Sequence, residues 1–190
     1  MIINDLLLSS LTKYYSSHDN MSKLMVLLRN QNKVSLRLID WFITNYSKKH
    51  NVIYLICKDE DGIRVIDSSD CEVIKQFNVY NSYKSQLKAY SKKQFDPFCR
   101  RERIDFICMG ETIPTTVGQL NFFKWTLNHN IMDYIHTHLH TIEDDMNESL
   151  KHIKNNYKKG SNTRKPRQEL SKSALRGLNK NKMKVSITFD

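Results

Sequence analysis

VIYLICKDEDGIRVID, residues 52–67, is the stretch that decides the fold. Val52 to Cys57 is a short apolar run rich in β-branched residues, which suit a pleated, half-buried strand. Lys58 to Gly62 is turn chemistry, and Ile63 to Asp67 is a second such run. Two runs joined through Asp-Gly read as a β-hairpin. Ser68 to Asp70 makes another turn, and Cys71 to Tyr80 reads as a third strand with Val73, Phe77 and Val79 apolar.

On either side the period changes to that of helices. Upstream, Ile3, Leu7, Leu11 and Tyr14 mark one helix face, and Asp19 or Asn20 can cap a second helix through Leu28. Ser35 can cap a third, running to about Lys49 with Leu38, Trp41, Phe42 and Tyr46 on its buried face. Downstream, Asn81 or Ser82 opens a helix through about Lys93, which Phe95-Asp-Pro-Phe98 ends. Ile104 to Met109 is a fourth strand, and Gly110 to Pro114 reads as a loop. Thr116 and Gln119 fit a capping box at the head of another helix, with Leu120, Phe123 and Leu127 inward. Ile135, Leu139, Ile142, Met146, Leu150 and Ile153 form the near-heptad stripe of one long helix.

The chain has 190 residues and a formal net charge of +10. Residues 151–190 hold 12 Lys and Arg against 2 Asp and Glu, which leaves 18 of each sign in residues 1–150. A neutral body with a cationic tail points to an anionic partner. The division expected is a single α+β domain over residues 1–156 and a basic flexible tail over 157–190, with Val185 to Asp190 patterned as an added strand. The N-terminus has no basic region or small-residue cleavage site, and no apolar run is long enough to span a bilayer. Cys57, Cys71, Cys99 and Cys108 form no C-x-x-C pair and read as reduced thiols. The protein is therefore expected inside a cell, not secreted, and without a membrane partner.

The strongest binding pattern is basic. Lys84, Lys88 and Lys92 recur at every turn of a helix, Lys93 follows, and Arg100, Arg101 and Arg103 come next, with Tyr83, Tyr90 and Phe98 interleaved. Cations so spaced neutralise successive phosphates, and aromatic rings stack on exposed bases. The bland alternative is a solvated helix face with its aromatics in the core. In the tail, Lys158, Lys159, Arg164, Lys165, Arg167, Lys180, Lys182 and Lys184 suit sequence-independent contact with a phosphate backbone. His136 and His140, with Asp144 a turn further on, make a weaker metal pattern, for neither an H-E-x-x-H nor a cysteine pair supports it. Glu143, Asp144, Asp145 and Glu148 could face the basic tail or a partner's cations. Neither a nucleophile elbow nor a P-loop is present, so the reading is non-enzymatic, with no cofactor and no metal.

Two stretches, FNVYNSYKSQLKAYSKKQFDPFCRRERIDF (77–106) and TTVGQLNFFKWTLNHNIMDYI (115–135), resemble a family of uncharacterised proteins of nucleocytoplasmic large DNA viruses. The resemblance covers about Ser35 to Asn147, and the N-terminal helices and the tail look private to this chain. It implies a viral protein acting in the infected host cell, in cytoplasm or nucleus, or in the virion. It carries over no catalytic residue.

Together these readings predict N-terminal helices, a small mainly antiparallel sheet of about four strands with an inserted helix, and a C-terminal helical pair. The favoured function is a viral nucleic-acid-binding or nucleoprotein protein that holds DNA or RNA by its phosphates. The alternative is a structural adaptor that docks other viral proteins through its long helix and terminal strand.

Overall fold

A computed structural model describes residues 2–29, 34–59, 62–66 and 72–158. The hairpin is present. β1 (Ile53–Asp59) and β2 (Gly62–Ile66) pair antiparallel, with Asp59 opposite Gly62. β3 (Glu72–Asn78) pairs antiparallel with the other edge of β1, giving the order β2-β1-β3. Tyr54, Ile56 and Phe77 are buried, as a sheet covered on one face requires.

The fourth strand does not join this sheet. β4 (Ile104–Cys108) pairs with β5 (Glu111–Thr115) as a separate two-stranded ribbon. The segment read as a loop is thus mostly a strand. Its turn explains the difference: Met109 at φ 53° and Gly110 at φ 80° provide the two left-handed residues that a tight hairpin needs. Pro114 weakens the strand pattern in sequence, yet a ribbon edge accepts a residue without an N–H. Phe106, Cys108 and Ile113 face inward, while Ile107 and Met109 are exposed.

The N-terminal helices follow the predicted faces. α1 (Ile2–Tyr15) buries Leu11 and Tyr15, and α2 (His18–Leu28) buries Met21, Leu24 and Leu27. α2 begins after Ser17 instead of at Asp19 or Asn20; Asp19 lies in its first turn, and Asn20 Nδ2 donates to the Tyr14 carbonyl. The third helix starts at its predicted cap, for Ser35 Oγ accepts from the Leu38 N–H. It runs as α3 (Leu36–Trp41), a π-helical turn (Phe42–Tyr46) and α4 (Ser47–Lys49). No residue pattern announces that π turn.

α5 (Val79–Tyr90) follows β3 directly, and α6 (Val117–Asn128) follows the ribbon. α6 is the central element: Leu120, Phe122, Phe123, Trp125 and Thr126 are all buried. Burial nearly all round marks a helix enclosed by its neighbours. Its cap is half of the predicted box. Thr116 Oγ1 accepts from the Gln119 N–H, but the Gln119 side chain accepts from Thr115 Oγ1 and donates to the Pro97 carbonyl.

That second bond fastens α6 to the segment after α5, and Asn121 Nδ2 adds another to the Gln94 carbonyl. The approach is close. A Cβ on Gly118 would lie 3.0 Å from the Lys93 carbonyl oxygen and 3.3 Å from backbone atoms of Gln94 and Phe95. Gly118→Ala gains helix propensity but must push backbone aside. A net loss of about 1 kcal/mol is expected in denaturant unfolding. A variant more stable than the parent would show that this contact yields.

The predicted long helix is two helices, α7 (Ile131–Thr137) and α8 (Leu139–Lys158). They break at His138, with φ −109° and ψ 21°. Ile135 and Ile142 are buried as the stripe predicted, on either side of the break. Cys99 and Cys108 are free thiols, but Cys57 is disulfide-bonded, which corrects the reading of four reduced cysteines. Sequence spacing does not report distances across a fold. The tail and its terminal strand lie outside the described residues.

Candidate nucleic-acid interface

α5 begins where Asn78 accepts from the Asn81 N–H through its side chain, while the Val79 N–H donates to the Val52 carbonyl. The cap thus lies three or four residues before the predicted start at Asn81 or Ser82. Tyr83, Leu87 and Tyr90 turn partly inward, and Trp125 Nε1 donates to Ser82 Oγ at 3.1 Å. Lys84 and Lys88 point the other way and are exposed. The helix ends one turn earlier than predicted, because Ser91 adopts φ 56°. Lys92 and Lys93 therefore sit in a turn, both exposed.

Arg100, Arg101 and Arg103 separate. Arg100 makes a two-pronged ion pair with Asp96, Nε to Oδ2 at 3.0 Å and Nη2 to Oδ1 at 2.9 Å. Its guanidinium also lies 4.7 Å from the Phe98 ring centroid. The Asp96 bond raises the Arg100 pKa further. Asp96 is 8% exposed, so this pair belongs to the fold. Arg101 and Arg103 are exposed. Among the described residues, Lys84, Lys88, Lys93, Arg101 and Arg103 have no carboxylate partner.

Asp40, near the end of α3 just before the π turn, lies within electrostatic reach of Arg100, and Thr44 Oγ1 donates to its backbone carbonyl at 2.7 Å. Burial pushes its carboxyl up to about 6; Arg100 and Lys92 pull it down, and Asp96 pushes it up. The middle of the predicted basic cluster is therefore a mixed-charge group: Asp40, Asp96, Arg100 and Lys92, with Tyr83 beside it. Two acids had no place in the sequence reading of this surface.

The acidic run of α8 divides similarly. Asp145 is buried: Trp41 Nε1 donates to it at 3.0 Å, Lys49 Nζ is hydrogen-bonded to it, and His50 Nε2 lies 3.6 Å away. This carboxylate holds α8 to the α3–α4 helix. Asp144 and Glu148 are exposed. His136 lies in the last turn of α7 and His140 in the first turn of α8, so the break at His138 interrupts the i, i+4 spacing on which the metal pattern relied. No group of three potential metal-binding side chains occurs among the described residues. Lys158 is the last described residue; Lys159, Arg164, Lys165 and Arg167 lie beyond it.

Sequence reasoning also missed a cation. Lys48 of α4 reaches the Tyr80 ring from a separate element, with Nζ 5.7 Å from the centroid, and Lys84 Nζ lies at 5.7 Å from the same ring. The signal available was the Lys48-Lys49 pair at the helix end. Only the fold shows that the two lysines divide, Lys49 to Asp145 and Lys48 to α5.

No helix among the described residues is long and apolar enough to cross a membrane. A family model described as "Family of unknown function (DUF7197)" matches residues 3–156. A curated relative, "Uncharacterized protein L507" of Acanthamoeba polyphaga mimivirus, is 37% identical over 142 residues, 72% of this chain and 49% of that protein. The chain thus spans about half the length of this relative. No solved structure matches. The giant-virus resemblance read from residues 77–106 and 115–135 is borne out, and one part of it is corrected: α1 and α2 fall within the family match and are not private to this chain. By that match over most of its length, the chain belongs to the family of unknown function DUF7197.

Proposed function

We propose that this α+β protein is a non-enzymatic viral nucleic-acid-binding protein that holds the phosphate backbone and does not read base sequence. One observation carries the proposal. Lys84 and Lys88 on the exposed face of α5, and Arg101 and Arg103 just beyond it, have no carboxylate partner among the described residues, whereas Lys23, Arg29, Lys49 and Arg100 each have one. Unneutralised cations on a helix and its following segment are the footprint that condensed phosphate charge selects. The 10 Lys and Arg of the tail, residues 157–190, supply further contacts of the same kind.

Fluorescence anisotropy titrations across a salt series test this. Log affinity is expected to fall linearly with log salt. Changing Lys84, Lys88, Arg101 and Arg103 together to Gln is expected to weaken binding about tenfold or more and to flatten that slope. Arg100→Gln is expected to lower stability and leave the slope nearly unchanged, since its charge is matched by Asp96. Affinity indifferent to salt, or unaffected in the fourfold variant, rejects the proposal.

A further inference from the structure

We infer that the outer edge of β4 pairs antiparallel with the same edge of a second copy of this chain, so that Arg103 of each copy meets Asp105 of the other. Pro114 decides which edge of the ribbon is open. It has no N–H and stands opposite Asp105, so that pair cannot exchange two hydrogen bonds. Pair types alternate along an antiparallel ladder, and the doubly bonded pairs are therefore Ile104 with Thr115, Phe106 with Ile113 and Cys108 with Glu111. The backbone N–H and C=O groups of Asp105 and Ile107 point away from β5. Among the described residues no hydrogen bond reaches them. On the far edge of β5, Pro114 itself interrupts the row of donors, which leaves β4 as the open edge.

An open edge beside an apolar side chain is a template for another strand. Ile107 is 68% exposed, and Met109 is exposed beyond it. Arg103, Asp105 and Ile107 are exposed at alternate positions, while Phe106 and Cys108 are buried and Ile104 is half-buried. Neither Arg103 nor Asp105 has an ion-pair partner among the described residues. Charge then sets the register. Centred on Arg103 or Asp105, the pairing puts like charges face to face. Centred on Phe106 or Ile107, it puts Asp105 opposite an apolar residue. Centred on Ile104, it places Arg103 opposite the partner's Asp105 on both sides of the two-fold axis, and opposite charges directly across two strands stabilise the pair. The half-buried Ile104 meets its own copy at the axis, in a non-hydrogen-bonded pair where side chains come closest. One patch is used twice, as a two-fold dimer requires. The inference goes beyond the nucleic-acid reading: in the dimer Arg103 is matched, and phosphate contacts of the body fall to Lys84, Lys88 and Arg101 of both copies.

Sedimentation equilibrium of the nuclease-treated full chain, with no nucleic acid added, tests the pairing. The contact is small, so a reversible dimer that dissociates at about micromolar concentrations or above is expected. Arg103→Asp and Asp105→Arg each set like charges opposite one another at both pairs, and each is expected to weaken dimerisation about tenfold or more. The swap, with both substitutions in one chain, restores both pairs and is expected to dimerise as the parent does. An equal mixture of the two single variants is expected to recover the dimer as well. Both positions are exposed, and thermal melting confirms that each variant is folded. A parent that stays monomeric at every concentration overturns the pairing and leaves the edge to another strand, the chain's own Val185 to Asp190 included. A dimer that the single reversals do not weaken, or that the swap does not restore, overturns it too. Backbone binding stands or falls separately, because these measurements contain no nucleic acid.

Discussion

Asp145→Ala is expected to lower the free energy of unfolding by about 2–4 kcal/mol at neutral pH. The carboxylate is 9% exposed and accepts from Trp41 Nε1, which is itself in a side chain only 8% exposed. Alanine leaves that indole N–H in a buried site without its acceptor. The Lys49 ammonium adds less, because its side chain is 60% exposed and solvent screens the pair. Asp145→Asn keeps an acceptor for Trp41 and loses the charge, so about half the effect is expected. Burial by itself would raise the Asp145 carboxyl, but the hydrogen bonds from Lys49, Trp41 and His50 and the Lys49 charge together outweigh it and hold the pKa below its ordinary value. The stabilisation is therefore present above the unfolded carboxylate pKa and is lost as pH falls through the folded one. The deficit of Asp145→Ala in urea unfolding should shrink in acid. A deficit under about 0.5 kcal/mol at neutral pH, typical of a surface change, would mean that Asp145 does not tie α8 to the α3–α4 helix.

What could be read from sequence follows the range of each signal. The β1–β2 hairpin, the Ser35 and Thr116 caps and the faces of α1 and α2 depend on residues a few positions apart, and local chemistry specifies them. The partner of β4 was not legible in that way. Its turn needs two left-handed residues, and Met109 is not a residue that advertises one. The break between α7 and α8 was hidden because the apolar stripe continues across it. Ile135 and Ile142 both reach the core even though His138 leaves the helical path. Periodicity reports which side is buried and says nothing of a local change in backbone direction.

The candidate interface was legible as a charge count and illegible as a charge balance. Lys84 and Lys88 are exposed, as the α5 pattern requires. Arg100 looks identical to Arg101 in sequence, yet one is matched by Asp96 and the other is not. Asp96 and Arg100 are four positions apart, but the bend at Pro97 and the bond from Gln119 to its carbonyl set the geometry of their meeting. Asp40 comes from another part of the chain altogether. Nothing local links it to Arg100, so a reading along the sequence omits both acids and overstates the net charge of the surface.

Asp40 supplies the second large effect. Its folded carboxyl is pushed up to about 6 from an ordinary 3.8, chiefly by burial. The folded chain thus keeps a proton between those values that the unfolded chain releases. Stability falls as pH rises from about 4 through 6, and above that the ionised carboxylate carries its full penalty. Asp40→Asn removes the titration with little change in shape. It is expected to stabilise the protein by up to about 3 kcal/mol at pH 7.5 and to lose that advantage near pH 4, where the parent is already neutral. Thermal melts at the two pH values measure the difference. The same substitution removes one negative charge from beside Lys92 and Arg100, so nucleic-acid affinity at pH 7.5 should rise as the melting temperature does. The two readouts separate the causes. A gain in stability equal at both pH values would assign the effect to packing, and a gain in stability with no gain in affinity would place Asp40 outside the electrostatic reach of the interface.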